Sequence, residues 1–122
     1  MNAPTPDLAA LVARLTQPGA PFELVDVALP DGPAKAYRHA PATLAALIEA
    51  ARVHGPKPFM AYAGEHWTYE RFFAAVDALA GRLQAEARLQ PGDRVAIAMR
   101  NRPEWAVAFA AIVLAGGVPA PV

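Results

Sequence analysis

The sequence has 122 residues, a length that fits one small domain or part of a larger one. Its 11 lysines and arginines balance 11 aspartates and glutamates, and this zero net charge argues against nucleic acid or an anionic membrane as a partner. The absence of cysteine and serine excludes disulfides, thiolate metal sites, cysteine or serine nucleophiles and a serine-bearing phosphate loop.

The N-terminal segment predicts an amphipathic helix. Thr5 is a residue type that caps helix starts, Pro6 suits the first helical position, and Asp7 places an acid in the first turn. Apolar residues then recur with helical spacing at positions 8, 11, 12 and 15, which gives the helix one apolar face. Gln17-Pro18-Gly19 is expected to end it.

Residues 22–55 predict a β-hairpin followed by a second helix. Residues 22–29 and 35–39 are predicted strands, and Pro30-Asp31-Gly32-Pro33 between them is a turn sequence. Thr43 can cap the following helix, and Gly55-Pro56 closes it. The side chains expected on the buried face of this helix are Leu44, Leu47, Ile48 and Ala51.

Residues 59–83 predict a short hairpin and the longest helix of the chain. A strand over residues 59–63 turns at Gly64-Glu65 and pairs with His66-Trp67. Thr68 caps the helix that follows, in which apolar side chains keep helical spacing over about four turns. The aromatic residues of this stretch are expected to form core rather than to line a ligand site. They are Trp67, Tyr69, Phe72 and Phe73.

Residues 90–122 predict a strand–helix–strand unit. Gln90-Pro91-Gly92-Asp93 is a tight turn, and residues 95–99 form an apolar run that is expected to be a strand covered on both faces. Gly116-Gly117 ends the helix of the unit, and residues 118–122 begin a second strand. The two strands are expected to be parallel and joined by a right-handed crossover.

The helix of this unit is predicted to be buried on most sides. Asn101 or Arg102 caps it, Pro103 takes its first position, and residues 105–115 are all apolar. Residues 105–122 are also the longest uncharged stretch, but glycines and prolines in the second half would break a spanning helix. The N-terminus lacks the basic start and apolar core of a secretory signal, so we expect a cytoplasmic protein with no membrane partner.

These elements together predict an α/β fold with a β-hairpin region, several helices and a C-terminal parallel βαβ unit. The elements divide into residues 1–40, with a helix and a hairpin, and residues 41–122, with the remaining elements. A parallel sheet usually has more strands and helices on both faces. The missing cover would come from further chain or from a homo-oligomer.

Few side chains could carry chemistry. The histidines show no close metal-ligand spacing, so packed or surface roles are favoured over a metal site. Two pairs of acids could be considered for acid–base catalysis, but strand, turn and helix-start positions favour solubility and capping. The histidines are His39, His54 and His66, and the acidic pairs are Asp26 with Asp31 and Glu65 with Glu70.

Three arginines cluster around the predicted strand of residues 95–99. Arg94 precedes the strand, whereas Arg100 and Arg102 follow it. Ligands of open parallel sheets bind beyond the carboxyl ends of the strands, so Arg100 and Arg102 have a geometric case for contact with a phosphate. The alternative is that they are solvated or paired with Glu104.

Three segments, taken in order, resemble the start of the ATP-dependent adenylate-forming enzymes, and most closely the bacterial acyl-CoA synthetases. The resemblance covers residues 41–122 and implies that they start a larger domain that is incomplete at its C-terminal end, with residues 1–40 as a leader that carries a helix and a hairpin. The segments are Trp67-Thr68-Tyr69-Glu70; Pro91-Gly92-Asp93-Arg94-Val95-Ala96-Ile97 with Asn101-Arg102-Pro103-Glu104-Trp105; and Leu114-Ala115-Gly116-Gly117-Val118-Pro119-Ala120-Pro121.

The resemblance implies a ligase of fatty acid metabolism that activates a carboxylic acid with ATP and Mg²⁺ and transfers the acyl group to CoA. In the family the phosphate-binding loop, the acidic residues and the catalytic lysine follow the segment present here. We therefore assign no catalytic, cofactor-binding or metal residue to this chain, and we expect the isolated 122 residues to be inactive. The alternative is a stand-alone, non-catalytic α/β interaction module derived from the same scaffold.

Overall fold

A computed structural model describes residues 7–122, which form an α/β fold in two compact units, residues 7–41 and Ala42–Val122. The helices are α1 (Leu8–Thr16), α2 (Leu44–Ala50), α3 (Tyr69–Ala85) and α4 (Pro103–Leu114). The strands are β1 (Leu24–Leu29), β2 (Gly32–Tyr37), β3 (Pro58–Tyr62), β4 (Glu65–Thr68), β5 (Arg94–Ile97) and β6 (Val118–Pro121). The strands form two-stranded sheets, in which β1 pairs with β2, β3 with β4, and β5 with β6.

In the first unit, α1 begins two residues later than its sequence suggests. Asp7 is the cap itself rather than an acid in the first turn, because its carboxylate accepts hydrogen bonds from the backbone N–H groups of Ala9 and Ala10. The predicted cap Thr5 and Pro6 lie outside the described residues. Leu8 and Val12, on the apolar face of α1, remain at least half exposed.

The hairpin of the first unit is confirmed, with a tighter turn than predicted. β1 and β2 pair antiparallel from Leu24 opposite Tyr37 to Leu29 opposite Gly32, so Pro30 and Asp31 alone connect them. A two-residue connection is the commonest in hairpins, and it draws Gly32 into the second strand.

A buried glutamate is paired with an exposed arginine beside this hairpin. Glu23 is 9% exposed, and its carboxylate accepts a hydrogen bond from the Gly19 N–H at 3.1 Å and forms an ion pair with Arg38 Nε at 2.8 Å. The Arg38 N–H also donates to the Glu23 carbonyl at 2.8 Å. The Gly19 hydrogen bond, followed by Arg38, holds the pKa of Glu23 below its ordinary value, because both favour the charged carboxylate.

In the second unit, α2 is less buried than expected. Thr43 caps it as predicted, accepting from the Ala46 N–H at 3.0 Å, and a 3₁₀ turn, Ala51–His54, continues it. Ile48 and Ala51 pack against the core, but Leu44 and Leu47 are 46% and 54% exposed. Two of the four residues predicted to be buried are therefore exposed, because the short helix contacts the core along one edge only.

The second hairpin leads directly into the long helix. β3 and β4 pair antiparallel, and Tyr62 lies opposite Glu65, so the turn is Ala63-Gly64 rather than the predicted Gly64-Glu65. The Thr68 hydroxyl caps α3 as expected, accepting from the Arg71 N–H at 3.1 Å.

The core of the second unit lies where α3 meets α4. Its buried side chains come from the end of β4 and from these two helices. The aromatic residues predicted as core are confirmed there, with Tyr69 half-buried and the others at most 9% exposed. The buried members are Trp67, Phe72, Phe73, Val76, Val107, Ala110 and Ala111.

The C-terminal βαβ unit is also confirmed, with one correction. β5 and β6 are parallel, and α4 connects them. Ile97 is buried and Val95 half-buried against α4, but Ala96 is exposed. The strand is thus covered on one face and not on both, because the residues that the structure describes place no element against the Ala96 side.

Two glycines end α4 for different physical reasons. Gly116 has a φ of +92°, and its N–H donates to the Val113 carbonyl while the Gly117 N–H donates to that of Ile112. This bonding pattern closes the helix around a left-handed residue, which favours glycine. Gly117 leaves no room for a side chain, because an added Cβ would lie 3.0 Å from Ile112 and 3.2 Å from the Asp93 carbonyl.

Candidate functional site

Two of the motif segments bond directly to each other at the amino end of the parallel sheet. In the turn before β5, the Asp93 N–H donates to the Gln90 carbonyl and the Asp93 carboxylate accepts from the Gln90 N–H at 2.8 Å. The Gly92 N–H donates to the Gly116 carbonyl at 2.8 Å, and the Val118 N–H donates to the Asp93 carbonyl at 2.7 Å. The proline-glycine turn and the glycine pair therefore form one structural joint that fixes the start of both strands.

A shallow cleft lies beside the start of α4, the helix that follows β5 in the chain. Its volume is about 310 Å³, and it opens between β3 and the first turn of α4. The lining residues are Met60, Ala61, Tyr62, Asn101, Arg102, Pro103, Trp105 and Ala106. Arg102, which follows β5 and which the rule for open parallel sheets indicated, is among them.

Arg102 is the cationic group of the cleft. It is the residue before α4, gives the helix no side-chain cap, and places its guanidinium 5.9 Å from the centre of the Tyr62 ring. Its Nε lies 3.5 Å from the Glu104 carboxylate, and both side chains are more than half exposed. An exposed pair of this kind contributes little to stability, so the guanidinium keeps donors for another acceptor.

An apolar cavity that is open to solvent shares part of its lining with the cleft. It has a volume of about 220 Å³ and lies between α2, β3, α3 and α4. Trp105 and Ala106 line both the cavity and the cleft, and the Trp105 ring stacks on Phe109 with the ring centres 5.4 Å apart. The remaining lining residues are Leu44, Ile48, Ala51, Phe59, Tyr69, Phe72, Phe73 and Ala110.

The other candidates from the sequence lie apart from this site. Among the described residues no three histidine or acidic side chains are grouped to hold a metal ion. The His54 ring contacts that of Tyr69 at a tilt of 51°, Asp26 pairs with Lys35 at 2.6 Å, and Glu65 accepts from Trp67 and Arg71. These contacts give each of them a structural role.

The ion pairs of Arg52 also have a structural role. Arg52 bonds both Glu49 and Asp77 at 2.6 Å and lies 4.2 Å from the centre of the Phe73 ring. These hydrogen bonds, that to Asp77 first, raise the pKa of Arg52 above its ordinary value. The network links α2 to α3, and Arg52 lines neither the cleft nor the apolar cavity.

Sequence reasoning placed Arg102 near a site but missed the rest of the cleft and the cavity. Tyr62 comes from a hairpin forty residues upstream, and no local pattern connects it with the start of α4. The one available signal was the spacing of Trp105 and Phe109, which puts two aromatic rings on one face of a helix.

Comparison with known proteins identifies the class. The chain belongs to the AMP-binding enzyme family, whose model matches residues 47–122. The matched segment, which is that of an adenylate-forming enzyme, contains all three motif segments as well as the cleft. A search of the curated proteins found no match to the chain. Within residues 7–122 no helix has the length and apolar character needed to cross a membrane.

Proposed function

We propose that the chain is the N-terminal portion of a cytoplasmic acyl-CoA synthetase-like enzyme. In the reaction, a carboxylate attacks the α-phosphate of ATP to give an acyl-adenylate and pyrophosphate, and the thiol of CoA then displaces AMP to give the thioester. The observation that carries the proposal is that three motif segments of this family occur in order inside the family match. The division into a leader, residues 1–40, and the start of the large domain, residues 41–122, is part of the same proposal.

The role we assign to this chain is structural. Magnesium-bound ATP needs grouped carboxylates and a loop rich in backbone or hydroxyl donors, and the described residues offer no such acidic group. They therefore do not fit the nucleotide, and we derive no catalytic step from them. The joint between the turn at residues 90–93 and the Gly116-Gly117 pair instead fixes β5 and β6 as the start of a larger sheet, which the remainder of the enzyme would cover.

The proposal is tested on the protein encoded by the whole open reading frame that contains this sequence. Purified protein is incubated with ATP, Mg²⁺ and a panel of carboxylates, and pyrophosphate release is measured with and without CoA. We expect carboxylate-dependent release, hydroxamate formation when hydroxylamine replaces CoA, and an acyl-CoA detected by mass spectrometry. Adenylation without any CoA thioester would limit the proposal to the first step, and no carboxylate-dependent release would overturn it.

A second candidate is a non-catalytic interaction module, and one observation favours it. Val53 and Leu47 in the second unit are 81% and 54% exposed, which is surface that a partner or a second copy could cover. Sedimentation and thermal unfolding of the 122-residue chain separate the two. A stable species with a cooperative transition favours the module, whereas aggregation and dye binding favour a segment that requires the rest of its enzyme. In either case we expect the isolated chain neither to adenylate a carboxylate nor to bind ATP at micromolar concentration.

A further inference from the structure

We propose that the outer edge of β5 pairs with β5 of a second copy of this chain, so that two sheets of two strands join into one sheet of four. The two edges of the β5–β6 sheet carry different backbone groups, and this difference selects both the strand that pairs and the number of copies. The proposal concerns the 122-residue chain itself and does not rest on the reaction proposed above.

The backbone of β5 faces β6 at alternate residues. The Asp93 carbonyl accepts from the Val118 N–H at 2.7 Å, and the Ile97 carbonyl accepts from the Val122 N–H at 3.3 Å. Successive residues of a strand direct their N–H and carbonyl groups to opposite edges. The residues of β5 between Asp93 and Ile97 that bear even numbers therefore direct these groups away from β6.

The outer edge of β5 offers donors as well as acceptors. Arg94 and Ala96 point to this edge, as does Ala98 just after the strand, and all three residues are exposed. Within residues 7–122 no other strand is paired there. An edge that presents both N–H and carbonyl groups is a template for a further extended chain.

The outer edge of β6 offers acceptors but no donors. Pro119 and Pro121 are the residues of β6 that point away from β5, and proline has no N–H. Each chain therefore has one edge that can pair and one that is blocked. An association through strand edges then closes at two copies instead of growing into a fibre, which is the reason for assigning a second copy to the β5 edge.

A two-fold axis at Ala96 gives a compatible pairing. Two identical edges related by a two-fold axis meet antiparallel, so Ala96 lies opposite Ala96 of the second copy. Arg94 then lies opposite Ala98 of the second copy, which keeps like charges apart, and Val95 lies opposite Ile97 as an apolar cross-strand pair. The paired strands are only four residues long, so we expect a weak dimer.

The first test is the oligomeric state of the 122-residue chain without nucleotide or carboxylate. Sedimentation equilibrium should show a reversible monomer–dimer equilibrium with a dissociation constant on the order of 100 µM, as a small interface implies. A chain that stays monomeric up to about ten times that concentration, or one that already forms species larger than a dimer, would overturn the proposal.

A charge swap at the two-fold axis tests the pairing itself. Ala96→Lys and Ala96→Glu each place like charges opposite each other and should weaken self-association by about tenfold. An equimolar mixture of the two variants should restore the dimer, because lysine then faces glutamate. The mixture also shows that both variants are folded, and a mixture that stays monomeric would contradict the pairing at Ala96.

Val122→Lys is the matched control for an added charge. Val122 is 84% exposed, and its N–H bonds to the inner edge of β5 instead of pointing to the outer edge. The variant should therefore dimerise as the unmodified chain does. An equal loss in Val122→Lys and Ala96→Lys would assign the association to exposed apolar surface and overturn the role of the strand edge.

The blocked edge is tested by removing its prolines. Pro119→Ala combined with Pro121→Ala supplies two donors to the outer edge of β6, so the association should continue beyond two copies. A variant that stays dimeric would contradict the assignment of the prolines as the block. Because every measurement here omits the substrates of the proposed reaction, a failure to dimerise leaves that reaction untouched, and a longer protein without synthetase activity leaves the dimer untouched.

Discussion

The two compact units of the chain are stabilised by different interactions. In the second unit, apolar residues from Trp67 to Ala115 form the buried core between α3 and α4. Among the described residues of the first unit, the buried side chain is Glu23, a charged residue held by Gly19 and Arg38. A two-stranded hairpin is marginal on its own in water, whereas packed helices bury enough surface to be stable. We therefore expect the first unit to open at lower free energy than the second.

The largest expected effect comes from removing a ring in the second core. Phe72 is 5% exposed and lies 4.7 Å and 5.1 Å from the ring centres of Phe59 and Phe73. Phe72→Ala should lower the free energy of unfolding by about 3–5 kcal/mol, because it leaves a cavity that the helices cannot close. Amide hydrogen exchange, read separately in each unit, measures the loss.

Phe22→Ala in the first unit is the matched control. Phe22 is 54% exposed and meets Tyr37 edge-on at 6.1 Å between ring centres, so its removal should cost about 1 kcal/mol or less. Equal losses for the two substitutions would show that the units are not stabilised differently, and the comparison would fail.

The next effect tests the joint between the two motif segments. Gly117→Ala would place a Cβ 3.0 Å from Ile112 and 3.1 Å from Leu89, and both are packed side chains. We expect a loss of about 1–3 kcal/mol from overpacking, measured as the urea midpoint of the second unit.

Gly81→Ala is the control for this change of residue type. Gly81 lies inside α3, and an added Cβ meets nothing within 4 Å. The substitution should therefore stabilise the helix by about 0.5–1 kcal/mol, since glycine is a poor helix former. A destabilising Gly81→Ala would mean that the Gly117 result reflects the general loss of a glycine rather than the close approach.

The features that could be predicted from the sequence are those set by neighbours in the chain. The caps Thr43 and Thr68, Pro103 at the start of α4, and the turn at residues 90–93 each depend on hydrogen bonds or dihedral angles within a few residues. Asp7 shows the limit of this local reasoning, because two cap residues two positions apart compete for the same helix start.

The features that could not be predicted depend on what packs against each element. Nothing in the pattern of α2 distinguishes the covered Ile48 from the exposed Leu47, and the apolar run of β5 does not reveal that the Ala96 side is open. At the candidate site, the rule that ligands bind beyond the carboxyl ends of parallel strands indicated Arg102. Tyr62 lines the same cleft but belongs to a hairpin that is distant in the sequence. Burial and cavities are tertiary properties, which periodicity only restricts.

A smaller effect is expected at the residue that links α3 to the turn before β5. Arg88 has a φ of +52°, a left-handed conformation that costs a residue with a side chain about 1–2 kcal/mol, and it is exposed. Arg88→Gly should relieve this strain, partly offset by the greater chain entropy of glycine in the unfolded state, for a net gain of a few tenths to about 1 kcal/mol. Thermal unfolding of the second unit measures the gain. Arg88→Ala keeps the strained backbone and should give none, so equal gains in the two variants would assign the effect to the lost side chain.

The smallest effect concerns pH and belongs to the first unit alone. The Gly19 N–H and Arg38 lower the folded-state pKa of Glu23, so its contribution to stability is complete above the ordinary glutamate pKa of about 4.3 and is lost as the pH falls through the lowered value. In an NMR titration the Gly19 amide should follow this protonation below pH 4.3, because it donates to the carboxylate at 3.1 Å, whereas the amide of Ala111, buried in the core of the second unit, should not respond. Glu23→Gln should abolish the Gly19 titration while leaving the second unit unchanged. A Gly19 titration at or above the ordinary glutamate pKa would show that burial outweighs the two donors, and the ion pair would then no longer account for the stability of the first unit.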